Sequence, residues 1–319
     1  LGEVETFMAG EARIPLVVLL GPTASGKTEI SLEWARRLGC EILSADSMQV
    51  YRYMDIGTAK PDKQTRQLIP HHLIDVADPD ETYSAARFQR EADSAISHAH
   101  ARGKPVLVVA GTGLYLRALT RGLFPFTGRD PMLRKNLQQR ALQEGVGALH
   151  ETLSQVDPEA SRRIHPHDLF RIIRALEVFS LSGTPITEHH RRHALGQERY
   201  RTLYLGLERE RRELFQRIEE RVDQMAAQGL LEEVGSLLNM GYSPELPSMK
   251  ALGYRHMIAY IQGLVSLEKA FEIMKRDTKR FARRQLTWFK AMEGVRWFRP
   301  EERELILEKV ENFLGGEEK

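Results

Sequence analysis

A parallel sheet covered by helices on both faces, with a helical insertion, is the α/β architecture this sequence predicts, and three observations predict it. Short apolar runs alternate with helical patterns. A glycine-rich segment joins the first run to the first helical pattern. Roughly 75 residues between the fourth and fifth runs hold no convincing strand.

Taken in order, the runs are LVVLL from Leu16, EILSAD from Glu41, HLIDV from His72, PVLVVAG from Pro105 and TLYLGL from Thr202. Runs of this kind suit strands buried on both faces, and their alternation with helices implies parallel pairing through crossovers. The gap opens at the turn-rich FPFTGRDP and closes in the polar HHRRHALGQERYR. Inside it, DPMLRKNLQQRALQEG has an Asp-Pro start and a Gly stop, and HDLFRIIRALEVFSLSG repeats apolar residues at helical spacing before another Gly. A helical insertion over residues 128–198 is expected, within a core of residues 14–127 and 199–300, followed by a helical tail over residues 301–319. After the fifth run, ERRELFQRIEERVDQMAAQG sets Leu214, Phe215, Ile218, Val222 and Met225 on one stripe, an amphipathic helix returning to the core. A last helical stretch around Phe271 to Met292 leads to the short run VRWF.

Composition narrows the class. With 319 residues, 42% hydrophobic and 28% charged, the sequence suits a soluble globular protein with one sizeable core and a smaller second unit. The apolar run Leu16 to Leu20 is far short of the ~20 residues that span a bilayer and lacks signal-peptide flanks, so a cytoplasmic protein with no membrane partner is expected. The single cysteine, Cys40, builds neither an internal disulfide nor a cysteine-rich zinc site, and reads as a small buried apolar residue. A net charge of +2 says little about polyanionic partners, but Lys275 to Lys290, KRDTKRFARRQLTWFK, sets seven basic residues against one acidic residue. No coiled-coil pattern is present, so a monomer is expected.

The glycine-rich segment is Gly21, Pro22, Thr23, Ala24, Ser25, Gly26, Lys27 and Thr28, GPTASGKT. It fits G-x-x-x-x-G-K-[ST] between a strand and a helix, the context of a P-loop NTPase-like sheet. Its backbone N–H groups converge on an anion at a helix N-terminus, Lys27 adds a point charge, and the Thr28 hydroxyl is placed to ligate Mg2+. Proteins that use ATP or GTP here commonly end a second strand in a metal-holding Asp. PVLVVAG ends instead in GTGLY, without a carboxylate, which weakens a kinase reading. The nearest carboxylate after a core strand is Asp46, at the sheet edge where ligand-contacting residues gather. It reads as a base, or as an Asx turn or helix cap. Arg217 and Arg221, one helical turn apart, read as a lid over the phosphates or as a solvated face paired with Glu213 or Glu220. HHRRH from His189 reads as a basic loop rather than a metal site.

GPTASGKT, SADSMQVYRYMDIGTAKP, AGTGLYLRAL, RIHPHDLFRIIRALEV and ALGYR, in this order, resemble the bacterial tRNA dimethylallyltransferases, and the resemblance runs from about Leu16 to Arg299. Residues before Met8 read as extra sequence, and one cysteine cannot build the C-terminal zinc finger of the longer eukaryotic relatives. The resemblance implies that the P-loop grips the diphosphate of dimethylallyl diphosphate and that the prenyl group passes to the adenosine 3′ to the anticodon of a tRNA anticodon stem-loop. It implies Asp46 as base, Thr112 as a hydroxyl near the reacting amine, Thr23 and Lys27 on the diphosphate, and Mg2+ as cofactor. It further implies tRNA contact by Asp46, Ser47, Met48, Gln49 and Thr112, by Arg134, and by Phe170, Arg171, Ile172, Ile173 and Arg174. Lys250, Ala251, Leu252, Gly253, Tyr254 and Arg255 complete that set, with Arg280, Arg283 and Arg284 as phosphate contacts. Phe170 departs from the Gln that many relatives carry. Two other readings stay open on the residues alone: a P-loop nucleoside or small-molecule kinase, and a nucleotide-gated RNA-binding protein.

Overall fold

The computed structural model describes residues 13–123, 128, 130–194 and 198–316. The segment before Met8, residues 124–127 and 129 of FPFTGRDP, and the last three residues lie outside them. The protein divides into two compact units, one of Leu1–Thr120 with Arg199–Lys319 and one of Arg121–Glu198.

In the first unit the strands are β1 (Pro15–Leu20), β2 (Glu41–Ala45), β3 (His71–His72), β4 (Val106–Ala110), β5 (Arg201–Leu207) and β6 (Val295–Phe298). They form one parallel sheet in the order β3-β2-β4-β1-β5-β6. Its helices are α1 (Lys27–Leu38), α2 (Lys63–Leu68), α3 (Ala85–Ala101) and α4 (Gly113–Arg121), the last of which ends in the other unit. After the insertion come α10 (Arg211–Ala227), α11 (Leu230–Asn239), α12 (Tyr254–Ile261), α13 (Leu267–Lys290) and α14 (Arg303–Gly315).

Both sheet faces are buried, which is why the strands read as continuous apolar runs rather than alternating ones. Leu16, Val18 and Leu20 of β1 share one core with Phe88 and Ile96 of α3, Leu116 of α4 and Val222 of α10. Val17 and Leu19 point the other way, into a second core with Ile30 and Trp34 of α1 and Leu307 and Val310 of α14. The expected C-terminal tail is thus a helix packed on the sheet, with the Trp34 ring stacked on Phe298 at 6.0 Å.

Register sets up the site. Leu20 pairs with Ala110, and Ala110 pairs with Ala45, so β1, β4 and β2 end level. Strand order reverses on the two sides of β1, and ligands bind at the carboxyl edge of such a switch point.

HLIDV corrects the sequence reading. The strand there is only His71–His72, because Leu73 at φ 63° and Asp75 at φ 57° adopt the left-handed region and break the extended backbone. Asp75 is held by Lys60 at 2.6 Å and Arg66 at 2.6 Å, ion pairs that replace the ladder.

The second unit holds α5 (Pro131–Glu144), α6 (Val146–Val156), α7 (Pro158–Arg163), α8 (Leu169–Ser182) and α9 (Ile186–Ala194) around Leu149, Leu153, Ile172 and Leu176. The punctuation expected for α5 and α8 is there. Asp130 and Asp168 cap the N-termini through their carboxylates, and Gly145 and Gly183 close the helices.

Candidate active site

β1 runs into the loop Gly21–Gly26, and α1 begins at Lys27. The unpaired N–H groups of its first turn therefore belong to the carboxyl edge of the sheet. The Lys27 ammonium donates to the carbonyls of Gly21 at 2.8 Å and Pro22 at 2.7 Å. Burial pulls its pKa down from 10.5 to about 7, the Arg221 cation acts the same way, and Asp46 opposes them.

Three arginines after β5 hold the loop. Arg221 donates to Thr23 Oγ1 at 3.1 Å, Arg217 to the Ala24 carbonyl at 3.1 Å, and Arg209 to the Ser25 carbonyl at 2.8 Å. Arg221 lines the cavity at the carboxyl edge of the sheet, and burial keeps its guanidinium below its usual range. Arg217 instead braces the loop and pairs with Glu29 at 3.2 Å, so only one of the two expected lid residues lines the cavity.

Asp46 follows β2, and the turn it makes engages one carboxylate oxygen. Oδ1 accepts from the Met48 N–H at 2.8 Å, an Asx-type turn. Oδ2 takes no hydrogen bond among the described residues and lies against Gly111 at the end of β4. Thr112, the next residue, accepts from the Ser47 N–H at 2.9 Å and donates to the Ser47 hydroxyl at 3.2 Å.

Thr23, Lys27, Thr28, Asp46, Ser47, Met48, Gln49, Thr112 and Arg221 all line one cavity of about 360 Å³, with Ala251, Leu252, Arg255 and Arg284 also on its wall. Its apolar side is Val222 and Met225 of α10 and Met274 and Phe281 of α13. A cavity of this size suits a small ligand, with a few convergent polar groups to orient it. Gln49 is fixed by the Ser44 hydroxyl at 2.8 Å. Glu233 of α11 accepts from the N–H groups of Asp55, Ile56 and Gly57 and from the Tyr254 hydroxyl at 2.6 Å, which pins the loop after DSMQ to α12.

Thr28 and Asp46 put side-chain oxygens on the wall, and among the described residues no three His, Cys, Asp or Glu come together as a metal site. The described part of HHRRH lies on α9, where Arg191 and Arg192 pair with Glu188.

The remaining predicted residues divide. Tyr254 is fully buried, and Lys250 pairs with Glu245 at 2.8 Å. Gly253 caps the start of α12. Arg255 and Arg280 pair with Asp277, whereas Arg283 and Arg284 are exposed and form no ion pair among the described residues. In the second unit Arg134, Phe170, Ile173 and Arg174 line a separate cavity of about 280 Å³. Phe170 is 77% exposed there, while Ile172 is a core residue. Arg171 projects from the same helix, 70% exposed and paired with Asp168. Arg134 and Arg174 clasp the buried Glu177, each at 2.7 Å. Burial pushes the Glu177 carboxyl up, but the two guanidinium hydrogen bonds outweigh it and hold the group at about 2.

Sequence reasoning missed Gln285 and Arg209. A glutamine in a basic helix at helical spacing reads as surface, and an arginine before α10 carries no motif.

A family model described as IPP transferase matches residues 49–292, and one described as isopentenyl transferase matches residues 14–73. The tRNA dimethylallyltransferase of Geobacter sulfurreducens is 48% identical over 90% of this sequence and 92% of its own length. That of Syntrophobacter fumaroxidans is 50% identical over 89% of this sequence and 83% of its own. The crystal structure of the full-length tRNA isopentenylpyrophosphate transferase of Bacillus halodurans matches 95% of this protein and 97% of that one, with a TM-score of 0.70 and 40% identity. A eukaryotic dimethylallyltransferase acting on tRNA matches 96% of this protein and 80% of that one, with a TM-score of 0.80 and 28% identity. Sequence and fold agree over nearly the full length, and the protein belongs to the tRNA dimethylallyltransferase family of IPP transferases.

Proposed function

We propose that the protein transfers the dimethylallyl group of dimethylallyl diphosphate to the exocyclic N6 amine of the adenosine 3′ to the anticodon in tRNA, releasing diphosphate. The observation that carries this reading is one cavity shared by a phosphate-binding loop and the Asp46 carboxylate, with no acidic residue at the end of β4.

The adenine amine is a feeble nucleophile because its lone pair is delocalised into the ring. Catalysis must therefore come mainly from easing departure of the diphosphate. The allylic C–O bond breaks with its electron pair passing to diphosphate, the N6 lone pair forms the C–N bond, and the N6 proton passes to Asp46. Amides at the start of α1, Lys27 and Arg221 meet the growing negative charge. A cation about 4 Å from such a charge is worth on the order of 4 kcal/mol at an effective dielectric near 20. Thr112 orients the amine, being too weakly acidic to serve as base. Mg2+ ordinarily takes one or two protein oxygens plus phosphates and waters, so with Thr28 as its protein ligand it would neutralise charge on the diphosphate.

The target base must leave its stack to enter the cavity. Ser47, Met48, Gln49, Ala251, Leu252 and Arg255 are its contacts there, with Arg280, Arg283 and Arg284 on the phosphates. Arg134, Phe170, Arg171 and Arg174 hold tRNA from the second unit, Phe170 by stacking. The buried Ile172 and Tyr254 contribute shape rather than contact. With tRNA as acceptor, the reaction belongs in the cytoplasm.

Incubation with unmodified tRNA, Mg2+ and dimethylallyl diphosphate labelled in the prenyl group tests the reading. Label in tRNA at that one adenosine is expected. Unlabelled tRNA, with phosphoryl transfer from ATP instead, would establish the kinase.

A further inference from the structure

We infer that Gln285 is a positioning residue of the transfer reaction, whose carboxamide ties the diphosphate loop to the end of β4 and so sets the gap between leaving-group cradle and base. The inference rests on the tRNA-prenylation reading above.

Gln285 lies on α13, is 8% exposed, and reaches the cavity wall. Its Oε1 accepts from the Thr23 N–H at 2.9 Å, and its Nε2 donates to the Gly111 carbonyl at 2.8 Å. A carboxamide carries donor and acceptor on one planar, uncharged group, so it can join a backbone N–H and a backbone C=O from two loops without adding charge beside a polyanion. Gly111 is in turn bonded to β2, since the N–H groups of Gly111 and Thr112 both donate to the Ala45 carbonyl, at 3.3 Å and 3.0 Å. One unbroken path of hydrogen bonds and peptide units therefore runs from Thr23 through Gln285 and Gly111 to Asp46.

Close packing at Gly111 reinforces that path. A Cβ there would lie 2.9 Å from Asp46 Oδ2 and 3.6 Å from Gln285 Nε2, so carboxylate and amide rest on the same α-carbon. Thr23 is held at both ends, its N–H by Gln285 and its hydroxyl by Arg221 at 3.1 Å. Misplacing reacting groups by about 1 Å can cost on the order of 10²-fold in rate, so a bridge of this kind acts on turnover rather than on tRNA affinity.

Single-turnover transfer from labelled donor to unmodified tRNA, both saturating, is measured for the wild type, Gln285→Met and Gln285→Glu, with KM values and unfolding midpoints alongside. Gln285→Met should lose about 10²-fold in rate, with the tRNA KM within about threefold of wild type and the unfolding midpoint lowered by only a few degrees, so that the protein stays folded at the assay temperature. Gln285→Glu should lose as much near pH 8 and recover relative to wild type towards pH 6. Its protonated carboxyl regains a donor for the Gly111 carbonyl while still accepting from Thr23, a signature that general loosening of the fold does not produce. The inference is overturned if Gln285→Met works at the wild-type rate, if the loss appears only in the tRNA KM, or if the Glu variant tracks wild type at a constant ratio across pH. Wild-type protein that leaves tRNA unlabelled would defeat the parent reading instead, a separate result.

Discussion

In the proposed mechanism, Lys27 is the residue on which leaving-group stabilisation and proton balance meet. Burial, joined by the Arg221 cation, pushes its pKa down to about 7 in the free protein against the pull of Asp46. Above that pH it is a neutral amine, and an arriving diphosphate favours the ammonium. Diphosphate binding near pH 8 should therefore take up close to one proton, and affinity should fall as pH rises through 7. Titration calorimetry in two buffers of different ionisation enthalpy reads the uptake directly, and a value of zero would show that Lys27 does not recharge on binding. Lys27→Ala should lose on the order of 10²-fold or more in turnover at saturating substrates. Asp46→Asn preserves the shape of the turn at Met48 but cannot take a proton, so it should keep tRNA affinity and lose transfer. Filter binding alongside single-turnover kinetics separates the two, and an active Asn variant would move the base elsewhere. The place of Lys27 and Asp46 on the cavity wall was legible from the P-loop spacing and from a strand end, whereas Thr112 was marked only by the family resemblance. Gln285 was not, since its partners Thr23 and Gly111 are 262 and 174 residues away and nothing local marks it.

The same split between local and distant causes runs through the elements. α5 and α8 could be bounded from sequence because caps and stops are local signals, whereas HLIDV failed as a strand because Lys60 and Arg66 draw Asp75 out of the ladder. Packing between elements makes a sharper demand on two glycines. A Cβ on Gly57 would lie 2.4 Å from the ring of Tyr254, which is fully buried and tethered to Glu233, so neither partner can yield. A Cβ on Gly113 would lie 2.2 Å from the Trp288 ring, but that ring is 37% exposed and has solvent to swing into. Gly57→Ala should cost about 1–3 kcal/mol and impair transfer, with Gly113→Ala the milder of the pair in stability. Chemical denaturation of both variants checks the order, and equal midpoints would mean that the loop at Gly57 shifts freely.

For the molecule as a whole, the sheet and its helices on both faces follow from apolar runs that alternate with helical patterns. The placement of the last helix did not. α14 looked like a tail because its apolar positions match a face built from α1 and β5, which sequence order does not reveal. Leu307, 1% exposed in that core, should cost about 2–5 kcal/mol when replaced by Ala, while KM for both substrates stays near wild type. A large KM change would tie the far side of the sheet to the cavity. The strand order has a further consequence, for synthesis. β4 wedges between β1 and β2, so a nascent polypeptide that does not yet include Val106 holds two strands with their mating edges bare. Ribosome-stalled or prematurely terminated products of that length present a ready template for intermolecular strand addition.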